Sequence, residues 1–139
     1  MKFTDLTMNN LKTKDLPIMM RIVKKLNLKD FLKESVDIVF NEDVPQDILD
    51  KIKDKEEAEQ RKVIDDFKES KYIEVVTLLL NELIEGYDKV HDEIESLLGN
   101  VYNLDKKQVD DLDLDVTFEC IYNLKEQDQL INFFKTALK

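Results

Sequence analysis

His91 is the only histidine of the chain, so it is the first residue to consider for metal or acid–base chemistry. With Asp88 it forms one Asp-x-x-His unit, whereas helical bundles that hold a di-metal centre need two such units. A zinc site of the HExxH type requires a second histidine and is therefore impossible. We predict that His91 is an exposed polar residue on a helix, and we expect neither a bound metal nor a cofactor.

Three alternating carboxylates, Asp111, Asp113 and Asp115, resemble the beginning of a calcium-binding loop. Such a loop needs a glycine at its sixth position for a sharp turn and a glutamate at its twelfth position as a bidentate ligand. The chain has Val116 and Tyr122 at those positions. We therefore predict that the three aspartates cap helices and face solvent.

No candidate nucleophile has a setting that would activate it. Cys120, the only cysteine, has apolar neighbours and no adjacent base, which predicts a small buried side chain. Ser96 follows His91 by five residues, a helical spacing that does not align the two side chains. Because the chain has only two glycines, it also lacks a nucleotide-binding glycine loop. We therefore expect no enzymatic activity.

Charge is distributed unevenly along the chain, whose formal net charge is −10. Residues 1–40 include eight basic and five acidic residues, whereas residues 41–139 include thirteen basic and twenty-six acidic ones. An acidic body repels phosphate backbones, so we expect no nucleic acid partner. Two kinds of partner fit this charge: a basic protein, or further copies of the chain in a homo-oligomer that joins oppositely charged ends.

The chain shows no segment typical of export or membrane insertion. Met1–Asn10 lacks the apolar core of a signal peptide. The most apolar stretch, Ile73–Ile84, is interrupted by polar residues and is too short to span a bilayer. We therefore expect a cytoplasmic protein without a membrane partner.

Apolar residues recur at the three- and four-residue spacing of amphipathic helices along most of the chain. This pattern, with only two glycines and two prolines, predicts an all-α fold in a single helical domain, residues 1–139. We expect about six to seven helices around a central buried helix, Ser70–Ile84, which is apolar on nearly every face. Residues 53–68 are mostly charged and predict a solvated helix or a connector within this domain.

Local signals place several helix ends. The first helix is predicted to start at a cap, Thr13 or Asp15, and to end before a break at Asn27. Its apolar stripe is expected to face the core and consists of Leu16, Met19 or Met20, Val23 and Leu26. A second helix should cover Lys29–Phe40, and Asp43 should cap a third helix that has Pro45 in its first turn.

The C-terminal third has similar signals. Asp105 and Gln108 match a capping box and predict a short helix there. The next helix is expected to turn these residues inward: Val116, Phe118, Cys120, Ile121 and Leu124. A last helix should run from about Gln127 to the end of the chain.

Between residues 70 and 104 the apolar pattern has two interpretations. An unbroken three–four repeat of apolar residues from Ile73 to Leu104 is typical of one long coiled-coil helix. Gly86 suits a helix end, although a glycine costs a continuous helix only about 1 kcal/mol. We favour two helices, because the first half is apolar beyond a single stripe and needs burial on both sides.

Two segments carry a family resemblance: LKTKDLPIMMRIVKKLNLKDFLK, from Leu11 to Lys33, and IESLLGNVYNLDKKQVDDLDLDVTFECIYNLKEQDQLINFFKTALK, from Ile94 to Lys139. The first segment is similar to an N-terminal region that consists of a capped helix, a basic cluster and then a short break. The second resembles a leucine-rich helix, a short capped helix, an amphipathic helix and a final helix with two phenylalanines. Together they resemble the tail assembly chaperones of long-tailed (siphovirus-like) phages and prophages of Gram-positive bacteria.

The resemblance implies a protein that binds the phage tape measure protein in the host bacterial cytoplasm. Such a protein keeps its partner soluble for tail tube assembly and is not part of the mature virion. The family also implies a frameshifted longer form that contacts the major tail protein, and the final Ala137, Leu138 and Lys139 are compatible with slippery codons. Two alternatives stay open: a structural helical subunit of a phage tail or connector, and an acidic protein-binding inhibitor.

The last helix is the expected partner-binding site. Phe133 and Phe134 are adjacent, so one narrow stripe of the helix cannot hold both side chains. One of them should therefore point away from the core and be available to a partner or another copy of the chain. The predicted partner-binding residues are Leu130, Phe133, Phe134 and Leu138.

Overall fold

The computed structural model describes residues 1–40 and 44–137, excepting the side chains of residues 40 and 134–137. Every regular element in these ranges is helical, which confirms the predicted all-α class. Asp43, the predicted cap of the third helix, lies outside the described residues. None of the helices in the described part of the chain has the length and apolar content needed to cross a membrane.

The described ranges contain eight α-helices, one more than the upper end of the expected number. They are α1 (Leu16–Lys25), α2 (Lys29–Phe40), α3 (Gln46–Ile52), α4 (Glu57–Glu85), α5 (Tyr87–Tyr102), α6 (Lys106–Asp110), α7 (Leu114–Tyr122) and α8 (Asp128–Ala137). Short 3-10 helices occur at Phe3–Asp5, Thr13–Asp15 and Asn123–Glu126.

Helix ends follow the local residues closely. Asn27 adopts a left-handed conformation with φ 51°, which ends the first helical segment at the predicted break. The Asp105 carboxylate accepts a hydrogen bond from the Gln108 amide N–H at 2.8 Å, and Gln108 Oε1 accepts one from the Asp105 N–H at 2.9 Å. The predicted capping box at α6 is therefore confirmed.

α4 ends at Glu85 and α5 begins at Tyr87, which confirms two helices rather than one continuous coiled-coil helix. Gly86 joins them at a point where the side chain of Leu26 packs very closely. A Cβ atom at Gly86 would overlap a terminal methyl group of Leu26, so a larger residue here would have to displace that side chain.

The core is built mainly from α5 and the second half of α4. α4 contributes the buried residues Val75, Val76, Leu80 and Leu83, and α5 contributes Val90, Ile94, Leu97, Leu98, Val101 and Tyr102. The predicted central segment Ser70–Ile84 is therefore helical and belongs to the core. It is not buried on every face, because Ile73 and Leu78 are exposed, and α5 shares the central position with it.

The charged residues 53–68 form both a connector and a helix. Residues 53–56 link α3 to α4, and the remainder belongs to the first half of α4. Gln60 joins the two helices, since its side-chain amide donates a hydrogen bond to the carbonyl oxygen of Ile52 at 2.9 Å. The same carbonyl oxygen also accepts a hydrogen bond from the Lys55 N–H at 2.9 Å, so both groups cap the C-terminal end of α3.

Candidate partner-binding groove

An apolar groove of about 260 Å³ opens between α1, α2, α4 and α8. All its lining residues are aliphatic, methionine or phenylalanine. The main ones are Met19, Met20 and Val23 from α1, Leu79 and Leu83 from α4, and Leu130 and Phe133 from α8; we name this surface the α1–α8 groove. Among the side chains that the structure describes, none that lines the groove is polar and could orient a polar ligand.

α1 presents two apolar faces to different surroundings. Ile18 and Ile22 are buried in the core, where α1 packs against α5. Val23 lines the groove, and Met20 is 59% exposed at its mouth. The predicted core stripe is therefore wrong for Leu16 and Val23, which lie on the side of α1 that faces the groove and solvent. Of the two alternatives Met19 and Met20, Met19 packs against the core and Met20 is mostly exposed.

Both ends of α1 are fixed to α5 by polar contacts. At the first turn, the buried Asp15 carboxylate accepts hydrogen bonds from Asn100 Nδ2 at 2.7 Å and from the Lys12 amide N–H at 2.8 Å. At the last turn, Lys25 forms an ion pair with the buried Glu93. These contacts set the position of this groove wall relative to the core.

α8 supplies the part of the groove that the sequence predicted. Phe133 is 39% exposed at the groove mouth, where it also borders a shallower depression next to Leu11. Leu130 is only 5% exposed and lines the groove from within the core. The side chains of Phe134 and Leu138, the other two predicted residues, lie outside the described residues.

A buried glutamine positions the N-terminal edge of the groove. Gln127 Nε2 donates a hydrogen bond to the carbonyl oxygen of Asn9 at 2.6 Å, and Gln127 Oε1 accepts one from the Leu11 amide N–H at 3.4 Å. The Asn9 N–H in turn donates to the carbonyl oxygen of Val101 at 2.6 Å. The extended segment before α1 is thus attached to α5 and to the start of α8, which places Leu11 in the groove.

Two glutamates on α5 have opposite electrostatic environments. The hydrogen bond from Lys25 holds the pKa of Glu93 below its usual value, although burial acts in the opposite direction. Burial raises the pKa of Glu95, and the negative charge of the nearby Asp110 raises it further. The hydrogen bond from Lys25 therefore dominates at Glu93, whereas at Glu95 the lowering of the pKa by His91 is smaller than its raising by burial and Asp110.

His91 is exposed on α5, as predicted, and lies beside Asp92 and Glu95. The possible ligand atoms of these three residues lie within 4.8 Å of one another, a spacing that exposed acidic residues often show without a metal ion. His91 Nδ1 and the Asp92 carboxylate are 3.1 Å apart. The expectation that the chain binds no metal stays a prediction.

Cys120 is fully buried on α7, which confirms the predicted small buried side chain. Burial raises the pKa of its thiol to about 11. The Tyr102 hydroxyl donates to the carbonyl oxygen of Cys120 at 2.8 Å and packs against the same region of the core. The thiol is therefore protonated at neutral pH and shielded from any substrate.

Sequence reasoning missed two parts of the groove. The adjacent Met19 and Met20 were expected to supply one core residue, although seven apolar residues between 16 and 26 exceed what a single stripe needs. That excess is the signal for a second apolar face. Gln127 offers no comparable signal, because nothing in its sequence neighbourhood indicates contacts with Asn9 and Leu11.

No protein-family model matches the chain, and no curated protein or solved structure matches it either.

Proposed function

We propose that the α1–α8 groove binds an apolar, helix-forming segment of another protein. The observation that carries this proposal is a partly enclosed groove whose described lining residues are all apolar, which favours apolar side chains over a polar small ligand. Met19 and Met20 form part of its wall. Methionine side chains adapt to irregular partners, and amphipathic helices dock in grooves of this kind.

The family resemblance supports a more specific proposal. The chain acts as a phage tail assembly chaperone that binds the tape measure protein, a very long helical chain whose apolar stripes aggregate before a tail tube surrounds them. The groove covers part of such a stripe, and the net charge of −10 keeps the complex soluble. On this proposal the chain works in the host bacterial cytoplasm and performs no catalysis.

The proposal extends to a frameshifted longer form. In that form, the groove-bearing module holds the tape measure protein while an added domain recruits the major tail protein. Linking the two functions raises the local concentration of tail subunits beside the tape measure protein. The gene sequence beyond Lys139 and a mass spectrum of prophage-induced cells test this extension, and codons that cannot slip would contradict it.

Co-expression with the tape measure protein of the same genome tests the chaperone proposal. We expect the chain to increase the soluble fraction of that protein and to purify with it. Met20→Ser should reduce both effects, whereas Leu78→Ser, on an exposed face of α4 outside the groove, should reduce neither. An unchanged soluble fraction with wild-type chain would contradict the proposal.

Mass spectrometry of purified virions separates the chaperone from the main alternative, a structural helical subunit of a phage tail or connector. A chaperone is absent from mature virions, whereas a structural subunit is present in a fixed ratio to the other tail proteins. Detection of the chain in such a fixed ratio would replace the chaperone proposal by the alternative.

A further inference from the structure

Helix α7 carries an exposed apolar stripe. Leu114, Phe118 and Tyr122 follow one another at four-residue spacing and therefore lie on one side of the helix. Leu114 is 72% exposed and the other two are also exposed, although the sequence predicted Phe118 to face the core. The Tyr122 hydroxyl and Asn81 Oδ1 are 3.4 Å apart, a contact that ties the C-terminal end of the stripe to α4.

The surroundings of this stripe are acidic. Residues 108–122 include five carboxylates and no basic residue. A cleft of about 360 Å³ runs beside the stripe, and its lining includes Leu114 and Phe118 together with the carboxyl groups of Glu95 and Asp110. The α7 stripe therefore suits an apolar helix that is flanked by basic residues.

The outer face of α1 has the complementary properties. Leu16 and Met20 are exposed and, with Lys24, follow one another at four-residue spacing along the helix. Residues 11–25 include five basic residues and a single acidic residue, the buried Asp15. Both the α1 face and the α7 stripe are exposed in the same protomer, so they do not cover each other within one chain.

We propose that α1 of one copy of the chain docks against α7 of a second copy. Leu16 and Met20 cover Leu114 and Phe118, while Lys24 meets the carboxylates beside them, such as Glu119. Charge complementarity favours a second copy as the occupant, because the chain itself carries both matching surfaces. This contact requires no partner in the α1–α8 groove, but Met20 belongs to both surfaces, so a groove partner and a second copy would compete for it.

The proposed contact joins two different surfaces and is therefore heterologous. Each association leaves an α1 face at one end and an α7 stripe at the other, so further copies add unless a ring closes. Attraction between the charged surfaces depends on salt, because the Debye length falls from about 30 Å at 0.01 M to about 3 Å at 1 M ionic strength. Association should therefore be strongest at low salt.

Sedimentation velocity of the purified full chain at about 0.01 M and about 1 M ionic strength tests this contact. Wild type should associate at low salt and dissociate at high salt. Lys24→Glu and Glu119→Lys should each weaken association about five-fold, because each replaces an attractive charge with a repulsive one. An equal mixture of the two variants should associate again, since each variant then offers a face that complements the other.

Control variants separate this contact from an effect of net charge. Lys62→Glu and Glu59→Lys make the same charge changes at exposed positions in the first half of α4 and should leave association unchanged. Leu114→Ser should weaken association about ten-fold through lost apolar contact, while circular dichroism remains that of wild type.

Two results would overturn the proposal. The first is a wild-type chain that is monomeric at low salt across the accessible concentration range. The second is a mixture of Lys24→Glu and Glu119→Lys that associates no better than either variant alone, because that result assigns any association to other surfaces.

Discussion

Lys25 and Glu93 form an ion pair that joins the last turn of α1 to the middle of α5. The Glu93 side chain is buried, the Lys25 side chain is half-exposed, and the second carboxylate oxygen of Glu93 has no hydrogen-bond partner among the described residues. The charge of Glu93 is therefore stabilised mainly by Lys25, with a smaller contribution from Arg21 on the same helix. This interaction gives the stability of the chain a pH dependence with a definite sign.

Glu93→Gln should lower the free energy of unfolding by about 1 kcal/mol at pH 7, because it removes a charge-assisted hydrogen bond to a half-exposed lysine. The pKa of Glu93 is lower in the folded state than in the unfolded state. Its contribution to the free energy of unfolding is therefore fully present above the unfolded-state pKa of about 4.3, and it is lost as the pH falls through the folded-state pKa. Urea unfolding across a pH series should show wild type and variant converging in acid. Curves that stay parallel to the lowest pH would contradict this prediction.

Glu95→Gln provides the opposite case two residues further along α5. The folded-state pKa of Glu95 is raised by burial and by Asp110, so the folded state loses stability as pH rises from the unfolded-state value through the folded one. Removing the charge should therefore increase the free energy of unfolding at pH 7 and have little effect near pH 3, about a unit below the ordinary glutamate pKa. Urea unfolding across the same pH series measures the change in the free energy of unfolding. A variant that is less stable than wild type at pH 7 would contradict the prediction.

Gln127→Met should destabilise the chain by about 1–2 kcal/mol, because methionine fills a similar volume but leaves the Asn9 carbonyl and the Leu11 N–H without their partner. Gln129→Met, at an exposed position in the first turn of α8, two residues further along the chain, is the matched control and should have little effect. Denaturant unfolding compares the two. Equal losses would show that the buried amide does not hold the N-terminal segment.

Met20→Ser should weaken binding of an apolar helical partner without lowering the melting temperature, because this side chain is mostly exposed at the groove mouth. Leu78→Ser removes an exposed apolar side chain outside the groove and should leave binding unchanged. Isothermal titration with a partner segment, beside thermal unfolding of each variant, gives both quantities. Equal binding by both variants would exclude the groove as the binding surface.

Leu130→Ala and Phe133→Ala should have different effects on stability and on partner binding, because the two residues lie at the buried and the exposed parts of the groove. Leu130 is buried, so its truncation should cost about 2–5 kcal/mol of stability. Phe133 is partly exposed at the mouth, so its truncation should cost less stability and reduce binding per folded molecule. If both variants lose the same stability and bind normally once folded, α8 is not part of the partner surface.

Helix ends could be predicted from the sequence because neighbouring residues determine them. Asn27, Gly86 and the pair Asp105 and Gln108 each act on the backbone within a few residues. The division into α4 and α5 was also predicted, but mainly from the excess of apolar residues in the first half of residues 70–104. α2 begins at Lys29, as predicted.

The buried face of α1 could not be predicted in this way. That face begins with Asp15 and ends with Lys25, two charged residues that a hydrophobic pattern excludes from the core. Their partners, Asn100 and Glu93, lie 85 and 68 residues away along the chain. Only tertiary packing shows that these charges are satisfied.

The candidate site was predictable only in part for a related reason. Leu130 and Phe133 line the groove, so the sequence located one wall. The opposite wall consists of α1 residues that the pattern assigned to the core, and their exposure became evident only from the position of α1 on α5.

α4 is an uninterrupted helix of 29 residues whose two halves differ in burial. Its first half is charged and largely exposed, whereas Val75, Val76, Leu80 and Leu83 in its second half are buried. Amides near the start of the helix should therefore exchange their hydrogens through local fraying, and amides around Leu80 only through global unfolding. A protease that cuts within the frayed turns would leave the groove in place, because Leu79 and Leu83 lie in the protected part of the same helix.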